Sequence, residues 1–136
     1  MKKSVIKNEQ GSATIEFLSM VPLVLLVMLL FWQFLVAGYA VIITQSAANE
    51  AAKVYSAADV NSSPASAKAA AEEAARKVIN HSGKNLEFEN LSTNLTGRDF
   101  TMTVKVNMNL LFIPKDIVGT LSQVTFSKSI NGRVMD

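Results

Sequence analysis

Cysteine is absent from this 136-residue chain and histidine occurs once, which excludes several classes of site. Without thiols the chain has no disulfides, thiolate metal sites or cysteine nucleophiles. The single histidine, His81, has no second histidine or cysteine with which to share a metal ion, so we expect an exposed polar residue there. Neither a glycine-rich phosphate loop nor a nucleophile motif occurs. The sequence therefore predicts no enzymatic activity, no cofactor and no small-molecule substrate.

The chain also carries little net charge, and its excess of basic side chains lies at the N-terminus. Lysines at positions 2, 3 and 7 outweigh one acid, Glu9, among the first eleven residues, so this segment accounts for the formal net charge of +2. Basic and acidic side chains balance over the remainder. Binding to nucleic acid requires a concentrated basic patch. We therefore expect no nucleic-acid partner.

Residues 17–49 contain no charged side chain, and up to residue 43 they are mostly Leu, Val, Met, Phe and Ile. About 20 such residues in a helix span the hydrocarbon core of a bilayer. A cleaved secretory signal is a weaker interpretation, because its apolar core is only about 7 to 15 residues long. The run predicts a transmembrane segment over about 17–38. Because the lysines precede it, we expect a single-pass protein of the cytoplasmic membrane, with its N-terminus cytoplasmic and its C-terminal part exported.

The helical pattern continues beyond the membrane run. Small and apolar residues recur at three- and four-residue spacing up to Ala58, and polar residues such as Glu50 and Lys53 lie opposite them. We expect one helix from about Ser12 to Ala58, within a segment spanning 12–60. The helix is too long for the bilayer alone, so its outer half must pack against other subunits or against the protein's own exported domain.

The exported part, residues 61–136, shows a second helix followed by strands. Ser63 and Pro64 suit the N-cap and first position of an Ala-rich helix over about 65–80, and residues 81–83 end it. Residues 100–110 alternate apolar and polar side chains, which is typical of a strand with one buried face. Residues 86–91 and 123–130 alternate less cleanly, and Lys128 interrupts the apolar face of the latter.

These elements predict an α+β fold. It comprises a long N-terminal helix whose first half is transmembrane, a second helix, and a small antiparallel sheet of about three strands. A turn at residues 96–99 would join the first two strands, since Thr-Gly-Arg-Asp contains a glycine suited to a tight hairpin. The sheet would pack on the Ala-rich helix surface.

Residues 11–17 carry the most specific pattern. A short basic segment, 1–11, ends in Gly11 and is followed by Ser12. Glu16 is the last charge before the apolar run, which begins at Phe17. Alone, Glu16 is explained by the preference of about 0.3–1 kcal/mol for acids in the first turn of a helix. The combination resembles the substrate of a prepilin peptidase, which would cut after Gly11 and leave Glu16 as the fifth residue of the mature chain.

Over residues 11–58 the sequence resembles the TadE/TadF pseudopilin family of tight-adherence (Tad/Flp) type IV pilus systems. The resemblance is carried by Gly11, by Glu16-Phe17, by Pro22 between Val and Leu, and by the alanine-rich residues 47–55. It implies a minor pilin-like subunit or assembly factor of a pilus or secretion apparatus, without enzymatic activity. The implied partners are the membrane, the prepilin peptidase, other pilin or pseudopilin subunits and the pilus assembly platform.

The resemblance also assigns roles to individual residues. Gly11 and Ser12 would form the processing site, and Glu16, Phe17 and Pro22 would act in assembly. Cutting after Gly11 creates an α-amino group on Ser12, which is charged at neutral pH and which Glu16 of the same or a neighbouring chain would pair with. An ordinary helix kink is an equally good interpretation of Pro22.

Two other interpretations remain. The chain could be a membrane-anchored exported binding domain that retains its N-terminal segment and presents the sheet to a ligand. It could also be a membrane-anchored enzyme, but the sequence shows no catalytic site. The N-terminus of the mature protein distinguishes the first alternative from a processed pilin-like subunit.

Overall fold

The computed structural model of the chain describes residues 9–58, 63–110 and 123–135, with side chains from Ala13 onward. It confirms an α+β fold with a long N-terminal helix, a second helix and a three-stranded antiparallel sheet. Contacts divide the chain into two units, Met1–Val36 and Ala37–Asp136, which are described separately below. The elements in chain order are α1 (Glu9–Ala57), α2 (Pro64–His81), β1 (Leu86–Thr96), β2 (Asp99–Asn109) and β3 (Gln123–Arg133).

Helix α1 is 49 residues long and begins three residues before the expected start at Ser12. It is long and apolar enough to cross a membrane: its most apolar 18-residue window has a mean hydropathy of 2.5, with none of that window buried in the protein. In the first unit most of its Leu, Val, Met and Phe side chains are exposed. Exposed apolar side chains at this density are stable in lipid rather than in water.

In the second unit, the outer part of α1 and helix α2 each bury a stripe of small side chains. On α1 the stripe runs from Ala40 to Tyr55 and includes the buried hydroxyl of Thr44, which donates to the Ala40 carbonyl at 2.7 Å. On α2 it consists of Ala67, Ala71, Ala75 and Ile79. Alanine at the contact positions allows neighbouring backbones to approach closely, and its helix propensity is the highest of any residue.

The ends of α2 are close to those that the sequence predicts. Ser63 occupies the N-cap position and Pro64 begins the helix, but the Ser63 hydroxyl makes no capping hydrogen bond. Its backbone carbonyl instead accepts from the Ala67 N–H at 3.1 Å. At the other end Ser82 caps the helix by donating to the Ile79 carbonyl, and Gly83 leaves it with a positive φ of 124°.

Strand β2 is the centre of the sheet, whose order is β1-β2-β3. The alternation predicted for this segment is confirmed. One face of β2 is buried: Phe100, Met102, Val104, Val106 and Met108. The alternate residues lie on the opposite face, which is polar. A two-residue turn at Gly97 and Arg98 joins β1 to β2, and the positive φ of 66° at Gly97 suits the first central position of a tight hairpin turn.

Strand β1 alternates poorly in sequence because it contains a β-bulge. Its register against β2 shifts between Phe88 and Asn90, so Glu89 is an extra residue without a partner on β2. The bulge returns Leu91 to the face already occupied by Leu86, and both side chains are buried. A regular two-residue period would place them on opposite faces.

Strand β3 is longer than predicted and only partly covered. It extends to Arg133, whereas alternation predicts an end near residue 130. The chain beyond it is held by two backbone hydrogen bonds, from Val134 N–H to the Arg98 carbonyl at 2.9 Å and from Met135 N–H to the Ser56 carbonyl at 3.1 Å. These contacts tie the end of β3 to the hairpin turn and to the end of α1.

Candidate processing and assembly site

The predicted processing site lies in the first turns of α1. Because this helix begins at Glu9, the peptide bond between Gly11 and Ser12 is inside its first turn. The side chains of residues 9–12 lie outside the part of the chain that the structure describes. The first four N–H groups of a helix have no intrahelical partners, and helix ends open at low cost. The bond therefore lies in a part of the helix that opens at low cost.

Glu16 lies one helical turn beyond Ser12, on the same face of α1. Residues four apart in a helix are neighbours, with a rise of about 6 Å along the axis. The Glu16 side chain is exposed, and its backbone carbonyl accepts a hydrogen bond from the Ser19 hydroxyl at 2.8 Å. Helix geometry thus permits pairing between the Glu16 carboxylate and a new amino group on Ser12 of the same chain.

Phe17 begins the apolar surface directly after Glu16. Its side chain is 72% exposed, and the side chains that follow it on α1 are similarly uncovered in the first unit. The carboxylate of Glu16 therefore lies at the boundary between a polar segment and a surface suited to lipid. A charge at that depth is stabilised by an ionic partner.

Two residues interrupt the regular pattern of α1. Pro22 has no N–H to donate to the Leu18 carbonyl, yet the helix continues through it, and the Pro22 ring is exposed. Further along, both amide atoms of Gln33 are buried, with no hydrogen-bond partner among the described residues. In lipid, such unsatisfied groups are stabilised by hydrogen bonds from neighbouring helices.

The other polar candidates in the sequence are structural or solvated in the part that the structure describes. The His81 ring is exposed, and its Nδ1 lies 2.7 Å from the Lys77 carbonyl, to which it donates. Glu72 pairs with Arg76, and Glu73 with Lys77, each at 2.9 Å on an exposed helix face. No group of three potential metal-binding side chains occurs among the described residues.

Sequence reasoning did not identify the outer polar face of the sheet, where β2 and β3 are linked by side-chain hydrogen bonds. The pairs are Thr101 with Asn131, Thr103 with Ser129, Asn107 with Thr125, and Asn109 with Gln123, at 2.7 to 3.1 Å. Asp99 and Arg133 add an ion pair at 3.1 Å. The polar residues that alternate along β2 indicate a polar face. The hydrogen bonds on that face could not be predicted, because they depend on the register of β3 against β2.

Comparison with protein families finds a match for one part of the chain. The family model described as TadE-like protein matches residues 11–53. No curated protein and no solved structure matches. The match begins at the glycine of the predicted processing site and continues into the outer part of α1, which is the region of the predicted resemblance. Over residues 11–53 the chain is therefore similar to TadE-like proteins.

Proposed function

We propose that this protein is a minor pilin-like subunit or assembly factor of a Tad-type pilus or secretion apparatus, cut after Gly11 by a prepilin peptidase. The observation that carries the proposal is the start of the TadE-like match at Gly11, five residues before Glu16, which directly precedes the apolar part of α1. A general membrane anchor requires the apolar helix alone. It does not require a glycine and a carboxylate at fixed positions before that helix.

The geometry of α1 supports a role in assembly. Its exposed apolar surface fits an anchor in the cytoplasmic membrane with the second unit exported, as the charges at the N-terminus predict. Removal of residues 1–11 takes away the lysines and leaves an amino group one turn from Glu16. Within one chain, this pair neutralises a charge at the membrane boundary. Between chains, the same pair would fix the depth of one helix against its neighbour.

The mass of the membrane-extracted protein tests the processing step. We expect a mature chain that begins at Ser12 in cells that contain the peptidase, and an intact chain in cells that lack it. Gly11→Val should block the cut, because it places a branched side chain at the scissile bond. Gly38→Ala is the matched control, since a Cβ at Gly38 meets no atom within 4 Å. An intact N-terminus in peptidase-containing cells would rule out processing.

An intact N-terminus would favour the second candidate, a membrane-anchored exported domain that binds a ligand through its sheet. The outer polar face supports this candidate, because short hydroxyl and amide side chains are held there in fixed cross-strand pairs. Such a surface presents hydrogen-bonding groups at low entropic cost. In that case, substitutions on this face would impair function while Glu16→Ala would not.

A further inference from the structure

In the second unit, the uncovered surface of α1 changes from apolar to polar within one helical turn. Tyr39, Val41 and Ile42 are 48%, 46% and 67% exposed. After Ile42 the exposed side chains are polar until Ala57, at the end of the helix: Gln45, Ser46, Asn49 and Lys53. Exposed apolar side chains at this density are stable in lipid, and polar ones in water. On a helix that crosses a membrane, this change marks the bilayer surface.

The turn between α2 and β1, residues 82–85, lies at the level of Tyr39. The Tyr39 hydroxyl donates to the Ser82 carbonyl at 3.2 Å. Ser82 is itself fixed at the end of α2, because its N–H and its hydroxyl both donate to the Ile79 carbonyl, at 3.0 and 2.6 Å. Tyrosine is enriched where membranes meet water, since its ring is apolar and its hydroxyl is polar. The turn is thus one hydrogen bond away from a residue suited to the headgroup layer.

The opposite end of the second unit lies much further along α1. There the Met135 N–H donates to the Ser56 carbonyl at 3.1 Å, and the Val134 N–H donates to the Arg98 carbonyl at 2.9 Å. Along α1, Ser56 is about 25 Å beyond Tyr39. The hairpin between β1 and β2 is therefore at the end remote from Tyr39, and the turn at residues 82–85 is at the near end.

Lys84 gives this turn a positive charge. Its side chain is exposed, and no ion pair to it occurs among the described residues. The nearby charges are otherwise engaged: Lys77 pairs with Glu73 at 2.9 Å, and the Glu87 carboxylate accepts from the Asn109 amide at 3.5 Å. Near an anionic bilayer, a lysine is attracted by the headgroup charges. A phosphate in the headgroup layer is thus a suitable partner for Lys84.

Residues 111–122 join β2 to β3 at the same end of the sheet and lie outside the described residues. The Asn109 N–H donates to the Asn85 carbonyl at 3.0 Å, and Asn109 pairs in register with Gln123. The segment between them contains one acid, Asp116, which is the other candidate partner for Lys84. Only a lipid partner makes the surroundings of Lys84 depend on the charge of the bilayer.

We propose that the turn at residues 82–85 lies in the headgroup layer of the bilayer that α1 crosses, and that Lys84 binds the phosphate of an anionic phospholipid there. The inference rests on the membrane anchor of the proposed function, but not on processing after Gly11 or on pilus assembly. The bilayer then contacts the second unit at its near end, and the hairpin remains in water.

Fluorescence quenching of the full-length protein in lipid nanodiscs tests this inference. Because the chain has no cysteine, Asn85→Cys and Thr96→Cys each accept one fluorophore, at the turn and at the far end of β1. The nanodiscs contain equal parts of phosphatidylcholine and phosphatidylglycerol, and a nitroxide at the top of the acyl chain is carried by one lipid or the other. We expect both nitroxide lipids to quench the label at position 85 and neither to quench the label at position 96.

A preference between the two lipids tests the role of Lys84. We expect phosphatidylglycerol to be enriched about fivefold over phosphatidylcholine near position 85, the factor for one lysine at an anionic surface. Lys84→Gln should abolish this enrichment. Lys68→Gln is the matched control, because Lys68 is another exposed lysine of α2 and lies about 20 Å from the turn. Circular dichroism establishes that each variant keeps its strands.

Two results would overturn the inference while the anchor stands. Equal quenching at positions 85 and 96 would show that the turn is not at the bilayer surface. Equal quenching by the two lipids at position 85, or the same loss from Lys68→Gln as from Lys84→Gln, would show that Lys84 does not bind anionic lipid. Failure of the protein to enter nanodiscs would contradict the anchor and overturn both proposals.

Discussion

The ring of Phe100 meets the ring of Tyr55 edge-on, with centroids 4.9 Å apart and an angle of 66° between their planes. Phe100 is the first inward-facing residue of β2, and Tyr55 is the last large buried residue of α1. The contact therefore joins the sheet to the end of the long helix. Aromatic pairs in this geometry contribute about 0.5–1.5 kcal/mol beyond the area that they bury.

Removing this contact should destabilise the second unit. Tyr55→Ala deletes a buried aromatic ring, and such deletions cost about 3–5 kcal/mol because a cavity remains. Tyr55→Phe keeps the ring and should cost less than about 1 kcal/mol. Urea unfolding of the full chain in detergent, followed by circular dichroism of the strands, measures both. Equal unfolding midpoints for Tyr55→Ala and the wild type would show that the contact contributes little.

Gly132 is required by the same ring. A Cβ at this position would overlap the edge of the Phe100 ring, which is buried and held against Tyr55. Gly132→Ala should therefore cost about 1–3 kcal/mol, as overpacking in a core does. The matched control is Gly38→Ala, which meets open space and lies within a helix, where alanine is favoured over glycine. The shift in the midpoint of thermal unfolding relative to the wild type should differ between the two variants in sign or clearly in size.

The bulge in β1 predicts which single-residue deletions the sheet tolerates. Deleting Glu89 removes the unpaired residue and leaves Leu86 and Leu91 on one face, so the fold should survive with a loss below about 2 kcal/mol. Deleting Thr103 from β2 moves either Met102 or Val104 to the polar face and should abolish folding. Circular dichroism and protease resistance distinguish the two variants. Equal damage from both deletions would contradict the role assigned to the bulge.

The order of the elements and the types of α1, α2 and β2 follow from local sequence patterns. Pro64 marks the start of α2, and the strict alternation of β2 indicates its buried face. The family resemblance at Gly11, Glu16 and Pro22 also follows from the sequence. These features are local, because each depends on residues within a single helix or strand.

The features that sequence analysis missed depend on contacts between distant residues. The bulge at Glu89 hides the alternation of β1, and only the register against β2 reveals it. Ser63 takes the N-cap position without its capping hydrogen bond, so the residue type alone did not determine the contact. Lys128 interrupts the apolar pattern in the sequence, and only the register against β2 shows that it lies on the same face as the half-buried Phe126 and Ile130.

Glu16 should be needed for assembly and not for insertion. Glu16→Ala removes the carboxylate that would pair with the amino group of Ser12, while the apolar surface of α1 remains. We expect normal membrane levels of the variant and at least about a tenfold loss of assembled pili or secretion, since an amino group at the boundary of the membrane would lose its ionic partner. Glu50→Ala is the control: it removes an exposed acid whose ion pair with Lys53 is on the surface.

The central claim is that the mature chain, beginning at Ser12, acts in assembly of a Tad-type apparatus. The most direct test is to delete the gene in a strain with a Tad system and count surface pili after complementation with the wild type, Gly11→Val or Glu16→Ala. We expect the wild type to restore pili and both variants to fail, although all three reach the membrane. Full restoration by the uncleaved Gly11→Val protein or by Glu16→Ala, or normal piliation without the gene, would contradict the claim.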